Sequence, residues 1–115
     1  MARMKPMLPT LKEKKRYIAF ELITDAEISF KECSKTLFSV AQELYGQVQL
    51  GRMGVWLLPE RYGNNRGIIR VGHAYQDEVR MMLCFIQGRT GQSLAARSIV
   101  SSGILAKAAE AMENA

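Results

Sequence analysis

The sequence predicts an α+β sandwich: a four-stranded antiparallel sheet with two helices on one face and one more helix after the last strand. Three observations point there. Residues 12–24, KEKKRYIAFELIT, run from dense positive charge straight into alternation, with Ile18, Phe20 and Leu22 on one side and Ala19, Glu21 and Ile23 on the other. Two later stretches, opening at Ser29 and Asp77, repeat apolar residues at threes and fours, the spacing of a helix with one buried face. Three further runs have strand character, so the order is β-α-β-β-α-β and then a helix.

A chain of 115 residues, 48% hydrophobic, fits one domain with a sizeable core. Residues 1–11 contain Pro6 and Pro9, which oppose regular helix, and are expected as an extended basic arm. Residues 12–115 form the single domain. Its first strand should cover about 16–24, with Asp25, Ala26 and Glu27 turning the chain. Ser29 begins the first helix, three residues before Glu32, in capping-box spacing. The buried stripe is Phe30, Cys33, Leu37, Ala41 and Leu44, and Gly46 stands where a left-handed residue would end the helix.

A second strand is expected at 53–60, with Pro59 marking an edge or bulge near its end. YGNNRG, residues 62–67, tolerates positive φ and reads as a hairpin tip. The third strand follows at 67–73, Ile69 and Val71 facing one way, Ile68 and Arg70 the other. Asp77 and Glu78 suit the positive start of the second helix, whose stripe is Val79, Met82, Leu83 and Ile86 and whose end is Gly88. After a loop at 89–93, residues 94–102 read as the fourth strand. Residues 104–114, rich in Ala, Lys, Glu and Met, have helix composition. With right-handed crossovers these elements make the ferredoxin-like sandwich, the architecture of the RNA-recognition motif among many others. The fold alone assigns no function.

Charge says more. Residues 1–16 carry Arg3, Lys5, Lys12, Lys14, Lys15 and Arg16 against Glu13, which is the +5 of the whole chain; the remainder balances. Such a tail suits a polyanion or an acidic membrane. Two distant cysteines and a single histidine argue against a disulfide framework or a metal site and fit a reducing compartment. No apolar run reaches the roughly 20 residues of a membrane span, and no signal-peptide pattern opens the chain, so a cytoplasmic protein is expected.

Candidates for catalysis are sparse. His73 has no Ser or Cys at an obvious partner position. Asp77 and Glu78, adjacent on a helix, diverge too far to share a cation. Met81, Met82 and Cys84 suit packing better than a soft-metal site. The nucleic-acid signals are stronger. From Gly51 to Ser98 every basic residue is arginine, whose planar fork matches phosphate. Arg61 and Arg66 flank the hairpin tip and Arg89 lies in the loop after the second helix. The expected RNA contacts are therefore Lys12, Lys14, Lys15 and Arg16, then Arg61, Arg66 and Arg89. The strand that carries base-stacking aromatics in an RNA-recognition motif reads RGIIRV here, so recognition by charge and shape is expected.

Three segments together resemble the archaeal ribonuclease P protein component 2 family: KKRYIAFEL (14–22), RGIIRV (66–71) and SSGILAKA (101–108). The family's junction often reads Ser-Gly-Thr with a basic residue two places on; here Ile104 and Ala106 fill those places. The resemblance implies a non-catalytic, RNA-binding subunit of ribonuclease P, which removes the 5′ leader from precursor tRNA. It implies the ribonuclease P RNA and protein component 3 as partners, with precursor tRNA in the assembled complex. It also implies Mg²⁺ held by the RNA and no cofactor on this chain. Two other readings are open. One is a ligand-sensing or assembly module that forms a homodimer through its open sheet face; the other is a small hydrolase centred on His73.

Overall fold

The computed structural model describes residues 14–86 and 94–115. Strand β1 (Lys15–Thr24) lies in the middle of the sheet. It pairs antiparallel with β3 (Arg66–Gly72) on one side and β4 (Leu94–Ser102) on the other, and β2 (Trp56–Leu57) pairs the outer edge of β3. The order β2-β3-β1-β4 is the ferredoxin-like order. Helices α1 (Phe30–Met53) and α2 (Gln76–Ile86) make the crossovers, and α3 (Leu105–Glu113) follows β4.

The alternation in β1 divides the interior into two. Ile18, Phe20 and Leu22, with Ile69 and Val71 of β3, face α1 and α2. They pack on Cys33, Leu37, Val40 and Ala41 of α1 and on Val79, Met82, Leu83 and Ile86 of α2. Each Val, Leu, Ile, Phe or Met side chain among them contributes about 1.5–3 kcal/mol by leaving water. On the other face, Ala19 and Ile68 pack under Ala108 and Ala109 of α3, with Leu58 beside them. Small residues at 108 and 109 let the helix lie close to the strands. A bulge opposite Ala19 and Phe20 skips Ile99, so Ile99 and Val100 both join this second cluster.

Several local expectations hold. The Ser29 hydroxyl accepts from the Glu32 amide at 3.2 Å and donates to the Glu32 carboxylate at 3.3 Å, starting α1 as the capping-box spacing requires. The hairpin tip puts Asn64 and Asn65 at φ 53° and 59°. Asn65 also ties the tip to the turn after β1. Its backbone oxygen accepts from the Leu22 amide at 2.7 Å, and its side chain accepts from the Ile28 amide at 2.8 Å. The fourth strand has the limits read from sequence.

Three expectations are corrected. Gly46 does not end the first helix. It kinks it at φ 75°, ψ 167°, and α1 continues to Met53, where Gly54 at φ 66° donates its amide to Leu50 O and ends it. The second strand is two residues long rather than 53–60, because residue 53 still belongs to α1 and Pro59, lacking an N–H, opens a 3-10 turn (Pro59–Arg61). The sheet face carrying Ile68 and Arg70, which an RNA-recognition motif leaves open, is covered by α3, and Ile68 is fully buried. A homodimer across an open face would meet that helix instead. The arm at 1–11, the helix stop at Gly88 and the loop at 89–93 lie outside the described residues.

Candidate nucleic-acid interface

Lys14, Lys15 and Arg16 enter the sheet where β1 begins. The β1–β3 register sets Lys15 opposite Gly72 and Arg16 opposite Val71. The next residue, His73, donates its amide to Lys14 O at 2.8 Å, so the turn at His73–Tyr75 is held against the incoming chain. On the other side Tyr17 pairs Ser102, which brings Gly103 beside Arg16. Lys14, Lys15, Arg16, His73 and Gly103 thereby line one open cleft of about 410 Å³. Lys14 and His73 are exposed, and Lys15 and Arg16 are partly buried.

The charges are fixed by local packing. A Cβ placed on Gly54 would lie 3.8 Å from the Lys15 ammonium nitrogen, so that cation sits at the C-terminal end of α1, where the helix dipole favours positive charge. Arg16 Nε is buried and has no hydrogen-bond partner among the described residues. The same holds for Nε of Arg70, which pairs with Tyr17 across the strands. Unlike a solvated lysine, such a guanidinium has one donor already out of water.

The two other candidate cations that the structure describes, Arg61 and Arg66, are elsewhere. Arg61 is exposed in the 3-10 turn before the hairpin tip. Arg66 is engaged within the fold: it faces the Glu21 carboxylate at 3.5 Å and donates to the backbone oxygens of Met112 and Ala115 at 3.1 and 2.8 Å. It caps the end of α3. Glu21 is shared with Arg97, its cross-strand partner. From Arg16 to Leu22 is six residues of strand, roughly 20 Å, so Arg61 and Arg66 lie at the opposite end of the sheet. The structure brings together three of the seven nominated cations. Lys12 and Arg89 lie outside the described residues.

Two lining residues carry no RNA signal in the sequence: His73 reads there only as a candidate catalytic base, and Gly103 only as part of a junction. Both reach the cleft through strand register, which no local pattern reveals. Among the described residues, no group of three or more His, Cys, Asp and Glu is placed to hold a metal ion. Nor is any described helix long and apolar enough to cross a membrane.

Burial pushes the Cys33 thiol up to about 12, the neighbouring Tyr62 hydroxyl offsets only part of that, and a thiol held protonated is a poor nucleophile.

Comparison with known proteins gives a consistent result. The chain is 29% identical over 105 residues to a ribonuclease P protein component 2 of Pyrococcus horikoshii, covering 91% of this chain and 88% of the relative. It is 32% identical over 107 residues to the protein of that name from Methanosarcina mazei, covering 93% and 90%. A chain in a cryo-EM structure of yeast ribonuclease MRP superposes with a TM-score of 0.64 at 13% identity, over 96% of this chain and 91% of that one, a likeness of fold. The profile of the Rpp14/Pop5 family matches residues 16–113, from the basic start of β1 to the end of α3, and the chain belongs to that family.

Proposed function

We propose that this chain is an RNA-binding, non-catalytic protein subunit of ribonuclease P, acting in the cytoplasm beside protein component 3. It would support the catalytic RNA in removing the 5′ leader from precursor tRNA. The observation that carries this is the cleft at the start of β1, where Lys14, Lys15 and Arg16 converge and, among the described residues, no carboxylate lines the wall. The names of the relatives agree with it. Bond cleavage would belong to the RNA and its Mg²⁺. The protein's part is counter-charge: a folded RNA crowds phosphates together, and fixed cations relieve the repulsion that mobile Mg²⁺ otherwise must screen.

Reconstitution tests this. Ribonuclease P RNA and component 3 are mixed with or without this chain at low Mg²⁺, and precursor-tRNA cleavage is measured. The expected result is a clear gain on adding the chain, lost when Lys14, Lys15 and Arg16 are all alanine and largely restored at high Mg²⁺. No gain from the unaltered chain would overturn the assignment.

A further inference from the structure

The cleft at the start of β1 has the features of a built anion site. Resting on the RNA-binding role above, we infer that it seats a single phosphate group, held by Arg16 and flanked by Lys14, Lys15 and His73. Four observations carry this. Arg16 Nε is buried without a hydrogen-bond partner among the described residues, and Nη1 of the same guanidinium lies beside Gly103 on the cleft wall. A guanidinium with one donor left unpaired inside the fold gains from an acceptor brought to its remaining N–H groups. Among the described residues the cleft wall holds donors and no acid, since even a neutral imidazole keeps one N–H to donate.

The third observation is the start of α3. Its N-cap residue Ile104 offers no side-chain acceptor, the Ser102 hydroxyl accepts only from the Ile104 amide at 3.1 Å, and the first helical residue, Leu105, comes two after Gly103 on the cleft wall. The first amides of a helix have no partner within it, and its dipole is positive there. The helix is thus a further source of positive potential for a site defined by side chains. The fourth is Gly103 itself. A Cβ there would lie 3.9 Å from Arg16 Nη1, an ordinary contact, and Gly103 does not adopt a positive φ. The fold does not require glycine at 103, whereas an open cleft does, because a larger side chain would stand where the phosphate sits.

The shared chemistry is a phosphate oxygen pair, supplied by an RNA phosphodiester or by free phosphate. Two substitutions separate a shaped site from diffuse charge, because both keep the net charge: Gly103→Val fills the cleft, and Arg16→Lys removes Nε and the planar fork. Labelled ribonuclease P RNA is titrated with the full chain and each variant by fluorescence anisotropy. The titrations are repeated with millimolar inorganic phosphate against chloride at matched ionic strength, and phosphate binding to the chain alone is followed by ³¹P NMR.

The expected result is a loss of about tenfold in RNA affinity for each variant, the scale of one charge-assisted hydrogen-bond set. Phosphate should compete with RNA on the unaltered chain more than chloride does, and this excess should vanish in both variants. RNA affinity and phosphate competition unchanged in both variants would overturn the site while leaving the RNA-binding role standing. Phosphate binding without RNA binding would keep the site and overturn that role; binding of neither would overturn both. If circular dichroism shows Gly103→Val unfolded, Arg16→Lys decides.

Discussion

A methyl group added to Gly67 would sit 2.9 Å from Cδ1 of Tyr62 and 3.1 Å from the Phe20 ring. Neither ring can give way. Phe20 is fully buried, and Tyr62 is held by a 2.6 Å hydrogen bond to Ile28 O and an edge-on contact with Phe30 at 6.0 Å. Gly67→Ala should therefore cost about 1–3 kcal/mol, the usual range for overpacking, read as a shift in urea midpoint at constant slope. The cysteines differ in the same local way. Cys84 is exposed and Cys33 is buried, so a thiol reagent should label Cys84 alone in the native chain. Burial moves the Cys33 thiol from 9.0 to about 12. Above pH 9 the unfolded thiol ionises while the folded one does not, so stability should fall as pH rises through that interval. Burial also raises the Tyr62 hydroxyl, in the same direction. The sequence placed Cys33 on the buried stripe correctly. The demand on Gly67 was not legible, because Tyr62 meets it only after the hairpin folds back.

At the scale of elements, two glycines of α1 should respond oppositely to the same change. Gly46, at φ 75° and ψ 167°, occupies backbone space essentially reserved for glycine, so Gly46→Ala should destabilise by about 1–3 kcal/mol. Gly51 lies in regular helix with nothing within 4 Å of a Cβ, and Gly51→Ala should stabilise by about 0.5–1 kcal/mol. Thermal melts of the two variants check both signs. From sequence, Gly46 was assigned positive φ correctly and its consequence wrongly. A left-handed glycine ends a helix only if the chain then leaves the axis, and here Leu50 and Met53 find buried or partly buried places beyond the kink. The placement of α3 had a readable signal, since Leu105, Ala108, Ala109 and Met112 recur at three and four. Composition alone located the helix and missed the face it covers.

Across the whole molecule, charge is sorted along the strands. The start of β1 gathers Lys14, Lys15 and Arg16, with Arg52 in the last turn of α1 and Lys107 in the first turns of α3. The acids on that side, Asp77 and Glu78, lie at the positive end of α2. The far end mixes Arg61, Arg66 and Arg97 with Glu21, Asp25, Glu27 and Glu32, and two of those arginines are paired to Glu21. Roughly 20 Å of strand divides the ends, about twice the screening length at 0.1 M salt, so they act on a polyanion separately. The sequence identified the cations but could not divide them, because residue spacing does not reveal which sheet end a loop joins. The central claim is that the end holding Lys14, Lys15 and Arg16 meets RNA, and the salt dependence of binding to ribonuclease P RNA tests it most directly. Each lost phosphate contact flattens the log–log slope by about 0.7–0.9, so alanine at 14, 15 and 16 should flatten it by at least that much, and Arg61→Ala with Arg97→Ala by much less. An unchanged slope in the first variant, or an equal change in the second, would contradict it.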